Sequence, residues 1–347
     1  MIESKNEKQG FLKRKNIEFS VQRYLVDSLS YMALGLFSSL IIGSILNTLG
    51  AKLGIEFFTK TLWPIAKQMT GPAIGVAVAY GLQAPPLVLF SSVLTGAAGG
   101  AVGGPVGAYL AAVAGAEFGK LVSKETKVDI IVTPAVTLIV GVLVGTAVGP
   151  AVAAFMTGFG KLIMYSTELQ PIPMGILVSV LMGIALTLPI SSAAICIMLG
   201  LGGIAGGAAT VGCCAQMVGF AVMSYKENGF SGLISQGLGT SMLQMGNIVR
   251  NPRIWIPPII ASAIIGPIAT TVFKLLGTPI GSGMGTSGLV GPFETIVAME
   301  KAGRGGLSMY IAIILLEFLL PAVITLVVAE FMRKKQWIKF GDMKLDL

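Results

Sequence analysis

Four long stretches of the chain contain no Asp, Glu, Lys or Arg: residues 28–51, 68–116, 130–160 and 169–225. A helix needs about 20 mainly apolar residues to cross a bilayer, and the two longest stretches can each hold more than one. None of them alternates apolar and polar residues as a membrane β-strand does. The pattern predicts an all-α polytopic membrane protein with about ten transmembrane segments, near 29–49, 71–82, 86–98, 100–119, 129–152, 172–189, 190–206, 208–224, 254–275 and 306–330. The segments 71–82 and 86–98 are too short to cross comfortably and meet at Ala84-Pro85-Pro86, so a broken helix or a re-entrant hairpin is expected there. Residues 51–67 and 228–249 mix polarities and suit an interfacial position or a cap on the bundle.

Composition agrees. Charged residues make up 12% and hydrophobic ones 54%, with mean hydropathy +0.84; a soluble domain carries about 25% charged residues. The net charge of +8 does not indicate nucleic acid, because the basic residues gather at the two ends. Lys5, Lys8, Lys13, Arg14, Lys15 and Arg23 lie near the start, and Arg333, Lys334, Lys335, Lys339 and Lys344 near the end. By the positive-inside rule both termini are expected in the cytoplasm, with Lys301 and Arg304 as the discordant cluster. The expected organisation is a charged cytoplasmic segment 1–27, a transmembrane domain 28–331 and a basic tail 332–347. The first apolar run is too far from the start and too long for a cleaved signal peptide.

The chain has three cysteines, Cys196, Cys213 and Cys214, and no histidine. A zinc or haem site has no evident ligand set, so no metal and no cofactor are expected, and the thiols read as small packing residues.

Three pairs of segments echo one another: 33–49 with 173–189, 95–104 with 201–210, and 133–150 with 256–271. Transporters are often built from two repeats. The offsets differ between pairs, however, and Gly/Ala-rich sequence also matches by chance. Spacings such as Gly99-x-x-x-Gly103, Gly103-x-x-x-Gly107 and Gly202-x-x-x-Gly206 fit close helix packing in lipid. They also fit unwound backbone lining a cavity.

Few acids lie within the apolar regions. Glu117 precedes Lys120 by three residues and can neutralise it on one helix face, near a membrane edge. Glu317, inside IAIILLEFLLPAV, must be protonated, paired or turned to a polar cavity. Asn247, Arg250 and Asn251 read as interfacial anchors.

The most distinctive stretch is GSGMGTSGLVGPFETI, 281–296. Its GMGTSG fits a dinucleotide-binding glycine pattern, but that reading needs a preceding strand in a βαβ unit, and a membrane helix precedes it here. A backbone with five glycines between 281 and 291 can turn sharply and approach a ligand closely. Gly291-Pro292 then opens a helix, which places Glu294 in the first turn, near free amides. A carboxylate there can accept charge-assisted hydrogen bonds from hydroxyls, as an uncharged polyhydroxylated solute such as a sugar requires. The alternative is an external loop in which Glu294 caps a helix.

Together with TGAAGGAVGGPVGAYLAAVAGAEFGK and PISSAAICIMLGLGGIAGGAATVG, this stretch resembles the membrane subunit EIIC of the bacterial phosphotransferase system. More narrowly it is similar to the branch that includes perfringolysin O regulator-like proteins, over roughly residues 20–335. The resemblance implies a transporter in the bacterial cytoplasmic membrane that moves a sugar by alternating access and forms a homodimer. It implies separate IIA and IIB partners, with a phosphoryl group passing from a IIB phosphocysteine to a sugar hydroxyl. By this resemblance Glu294, in GPFETI, looks like the counterpart of the family's sugar-holding carboxylate. It serves as the expected catalytic group, with Thr295, Gly285, Thr286, Ser287, Gly288 and Glu317 as further substrate-binding residues. Two other readings stay open: a membrane sensor or regulator of gene expression that keeps the fold, and an ion-coupled transporter in which Glu317 or Glu117 is protonated.

Overall fold

The computed structural model describes residues 10–345. Among these no β-strand occurs, and the chain is helix throughout apart from short connections and one isolated antiparallel bridge, Gly203 with Gly277. The main helices are α1 Gln22–Ala51, α2 Thr70–Gly81, α3 Pro86–Val122, α4 Asp129–Thr167, α5 Pro171–Thr187, α6 Ser192–Leu199, α7 Gly203–Met223, α8 Tyr225–Ile234, α9 Ile256–Thr271, α10 Val290–Lys301 and α11 Leu307–Lys334. Six helical stretches are long and apolar enough to cross a membrane: α1, α3, α4, α7, Pro252–Thr271 (which contains α9) and α11; α5 is apolar but shorter. This is an all-α, multi-pass membrane protein.

The chain divides into two compact units. The first holds residues 1–36 and 68–153, the second 37–67 and 154–347; α1 and α4 are shared out between them.

In the first unit, α2 and the start of α3 form the hairpin that Ala84-Pro85-Pro86 predicts. Gly71 and Gly75 of α2 lie on the backbone of Gly96 and Ser92 in α3. Prolines at the head of α3 set an extended entry and leave no amide to satisfy. Within α3, Gly104 adopts φ 58°, ψ −149°, a conformation that an L side chain resists. Here the chain folds back on itself. A Cβ at Gly99 would meet the carbonyl of Gly107 and the Cβ of Ala111, residues about two and three turns away that a straight helix would keep apart. The arms 86–103 and 105–122 are each about 27 Å long at 1.5 Å per residue. α4 packs along this hairpin, with Gly141 against Thr95 and Gly145 against Gly99.

The lead-in segment is held against the hairpin's open end. Lys120 Nζ lies 2.9 Å from the Glu117 carboxylate and donates to Asn16 O at 2.9 Å and Leu82 O at 3.2 Å. Arg23 donates to the same two carbonyls, and Asn16 Nδ2 donates to Gln83. Glu117 is therefore buried and paired with Lys120, the partner three residues on that the sequence offers it.

The second unit is organised around α5, α7 and α9. Ser179 Oγ on α5 donates to Ser262 O on α9 at 2.7 Å, and Ser262 Oγ donates to Gly212 O on α7 at 3.2 Å. A Cβ at Gly212 would fall on the Ser179 backbone. Such direct backbone approach is how helices associate where apolar burial gains little. α11 closes this core through Leu316 and Ala312, which pack with Val211, Ala215, Ala261 and Ile265.

Two expectations are corrected. Residues 190–206 do not form a membrane helix: α6 has eight residues and ends at Gly200, φ 60°, and Gly203 also has positive φ. α4 runs on to Thr167 instead of stopping at 152. The described part of the basic segment 332–347 is docked on the second unit. Ile338 and Met343 are buried with Phe220, Met223, Ile248 and Ile254. Asn228 exchanges hydrogen bonds with Met343 O and Leu345 N, and Gln244 and Asn247 donate to Met343 O and Lys344 O. Asn247 is thus a buried strap-holder and not an interfacial anchor. Glu227 accepts from Met343 N at 2.8 Å and pairs with Arg333 at 3.2 Å; burial nonetheless pushes its carboxyl above the usual range.

Of the echoing segments, 95–104 is helical up to a break at Gly104, its last residue. Its counterpart 201–210 bends at Gly203, near its start, and is helical afterwards. The two do not share one conformation residue for residue.

Candidate functional site

The stretch after α9 leaves helix geometry at Thr271 and returns to it at Val290. Its path is fixed by polar contacts with α6 and α7. Gly277 and Gly203 exchange backbone hydrogen bonds of 2.9 and 3.0 Å. Ser282 Oγ donates to Leu201 O at 2.8 Å, and Ser192 Oγ donates to Gly283 O at 2.7 Å. The backbone of Gly285, φ 52°, lies against Cys213 on α7: a Cβ there would sit 2.8 Å from the Cys213 carbonyl carbon. Gly291 N donates to Gly285 O at 2.8 Å, which closes the loop on the start of α10.

Glu294 projects from α10, half-buried. Its Oε2 accepts a 2.6 Å hydrogen bond from Thr278 Oγ1, and Thr278 Oγ1 in turn accepts from Gly281 N at 3.2 Å. Gly281 packs on the Glu294 side chain so closely that a Cβ would stand 2.5 Å from that of Glu294. The carboxylate is therefore framed by the turn 278–281 on one side and retains a second oxygen, Oε1. The helix starts at Val290, and no acid lies in its first turn. Glu294 sits one position beyond the turn in which Gly291-Pro292 was expected to place it, and a side-chain hydroxyl takes the place of the free amides.

The other predicted residues separate into distinct settings. Thr295, next along α10, is fully buried and donates to Glu317 Oε1 at 2.9 Å. Thr286 is buried with its hydroxyl given to Gly237 O. Ser287 is buried and its Oγ has no partner. Gly288, φ 53°, packs on Ile45. Among the described residues no hydrogen bond joins 285–288 to Glu294. The structure thus brings Glu294 together with Thr278 and Gly281, and Thr295 together with Glu317.

Thr278 escaped the sequence reading. It lies 16 residues before Glu294, outside the glycine-rich motif, and its Thr-Pro step resembles an ordinary helix exit. A hydroxyl at the entry of the same loop that carries the acid was the available signal. A separate open groove of about 480 Å³ is lined by Thr157, Lys161, Met164, Tyr165, Glu168 and Leu199, none of them a candidate residue. Cys196, Cys213 and Cys214 are fully buried; Cys213 Sγ lies 3.5 Å from Met182 O and 3.6 Å from Ser282 O, either of which can accept its proton, so this thiol sits between α5 and the loop. Among the described residues no cluster of His, Cys, Asp or Glu could hold a metal ion.

No curated protein and no solved structure matches the chain. A family model described as "Phosphotransferase system, EIIC" matches residues 26–345, nearly the whole chain and including the docked C-terminal segment. The match is to the family and does not select the perfringolysin O regulator-like branch. With the helical membrane architecture it settles the wider assignment: the chain belongs to the EIIC family, the membrane component of the phosphotransferase system.

Proposed function

We propose that this protein carries a small polyhydroxylated solute, a sugar, across the bacterial cytoplasmic membrane by alternating access, with Glu294 as the residue that grips it. The observation that carries this reading is the Glu294 carboxylate, half-buried in an apolar bundle and held through one oxygen by Thr278. A framed carboxylate with an oxygen to spare accepts hydroxyl hydrogen bonds, and charge-assisted bonds of this kind are the strong ones. The backbone of the 281–291 loop, whose glycines leave amides and carbonyls unshielded by side chains, supplies neutral partners on the same side.

Phosphoryl transfer, in this reading, needs a separate donor. The chain has no histidine, and its three thiols are buried, so none offers a phosphate-carrying side chain to solvent. The IIB partner brings a phosphocysteine. As the sugar hydroxyl oxygen bonds to phosphorus and the partner's S–P bond breaks, the hydroxyl proton passes to Glu294, a general base within hydrogen-bond reach. Both termini face the cytoplasm, where the IIA and IIB proteins are, and two copies of the chain assemble.

The test is uptake by the purified protein in liposomes across a sugar panel, with a IIB phosphodonor inside. Glu294→Gln keeps the shape and the Thr278 contact but removes the charge. A lost charge-assisted bond is worth about 1.5–3 kcal/mol, so uptake efficiency should fall about tenfold to hundredfold. Uptake at the unaltered rate in that variant removes Glu294 from the site.

A further inference from the structure

α11 is interrupted midway by a π-helical turn, Ile314–Leu319. Such turns insert one residue into a helix and re-aim its side chains, frequently at functional sites. Glu317 sits on this turn. Its exposure is 0%, its Oε1 accepts from Thr295, and its Oε2 is buried with no hydrogen-bond partner. Among the described residues it forms no ion pair; the acids that do are Glu56, Glu117, Glu125, Glu227 and Glu330.

The groups around it offer no counter-charge. On α7 the titratable neighbour that interacts with it is the Cys214 thiol. On α10 Thr295 faces it, and the adjoining acid Glu294 is engaged by Thr278. α9 has no charged residue, and neither does the rest of α11 from Leu307 to Ala329. Leu316, beside it in the chain, packs into the apolar core of α7 and α9. A carboxylate in such a place would be a buried charge without compensation, which proteins avoid by keeping the proton.

We propose that Glu317 is a proton-binding site inside the membrane, occupied at neutral pH, and that through Thr295 it is a positioning residue for Glu294. Consecutive residues on a helix point about 100° apart, so the inward anchor at Thr295 fixes the rotation of α10 and with it the direction in which Glu294 meets Thr278. Departure of the proton leaves a bare charge on the acid, breaks the balance at Thr295 and turns the grip on the solute. Proton occupancy and solute binding are then linked. The effect on transport rests on the reading of Glu294 given above; the proton site itself does not.

Infrared spectroscopy of the full chain in liposomes, titrated with pH, tests both parts without any sugar. The wild-type protein should show a protonated-carboxyl band at neutral pH that disappears in Glu317→Gln, shifts in Thr295→Val and stays in place in Thr295→Ser. The carboxylate band of Glu294, identified with Glu294→Gln, should move in Glu317→Ala and Thr295→Val but not in Glu317→Gln, which is neutral and offers Thr295 the same acceptor. Thermal unfolding confirms that each variant is folded. Sugar uptake should fall about tenfold in Glu317→Ala, and the decline of uptake at alkaline pH expected of the wild type should be absent in Glu317→Gln. Absence of a neutral-pH band that Glu317→Gln removes overturns the proton site. A Glu294 band indifferent to Glu317→Ala and Thr295→Val overturns the positioning role. If no sugar is taken up by any variant, the transport reading fails while the infrared result still decides this one.

Discussion

Two glycine-rich regions of this protein, the folded helix α3 and the loop between α9 and α10, look alike in sequence and differ in what their glycines enclose. In α3 the glycines bring backbone against backbone. Gly71 meets Gly96, Gly99 meets Gly107, and Gly145 of α4 meets Gly99. In the loop they also let backbone close around a side chain: Gly283 and Gly285 lie against the backbone of Ser192 and Cys213, but Gly281 packs on the Glu294 side chain, and the Gly285 carbonyl closes the turn onto α10. The difference is set by what lies nearby. Between Gln68 and Ala116 the chain has no charged residue, so close packing is all the glycines can achieve. The loop opens on Thr278 and ends on Glu294, and the same flexibility then frames an acid. Small residues in a membrane protein mark close approach; the polar residues at the ends of the segment decide whether that approach is architecture or recognition.

Substitutions can break this contrast. Gly107→Leu should have the largest effect. Its side chain would fall on the Gly99 carbonyl, rigid backbone that cannot yield, and overpacking of that kind costs about 3 kcal/mol. Thermal unfolding in detergent should show a large loss of stability, and a variant that melts like the wild type would end the packing account of α3. Gly285→Ala comes next. The residue has φ 52°, and the new methyl would press on the Cys213 backbone; together these cost about 2 kcal/mol. Here the expected signature is different: moderate destabilisation together with lost sugar uptake, because the loop that frames Glu294 is displaced. Destabilisation with full uptake would return the loop to architecture. Thr278→Val should be mildest. It keeps the volume and removes the hydroxyl that holds Glu294 Oε2, a loss of about 1 kcal/mol, read as roughly fivefold weaker uptake with an unchanged melting temperature. An unaltered uptake there would show that Glu294 needs no such partner.

Much of this was legible beforehand, and the rest was hidden for a physical reason. Charge-free runs located the helices, because a bilayer tolerates little else. Pro85-Pro86 announced the hairpin of α2 and α3, because proline cannot continue a helix. Glu294 stood out because an acid in such surroundings is costly unless used. The turn at Gly104 was not readable: six glycines between 96 and 107 compete for it, and the choice is made by Gly99 and Gly107 meeting across the fold. Thr278 with Glu294, and Thr295 with Glu317, are pairings between elements, and no local pattern encodes them. The docking of the C-terminal segment was hidden for a related reason: Ile338 and Met343, which supply its buried contacts, are spaced among lysines and form no apolar run.

The reversal at Gly104 bears on sidedness. A helix that folds at its midpoint delivers its end to the face from which it started, and here both ends meet the same stretch: Asn16 binds Gln83 just before α3, and Lys15 reaches the Ser123 carbonyl just after it. α3 therefore contributes an even number of passages, two or none. Any bookkeeping that scores its 37 residues as one crossing inverts inside and outside for everything downstream, from α4 to the loop that carries Glu294. A reporter fused after Val122 and another before Pro86 would have to report the same compartment.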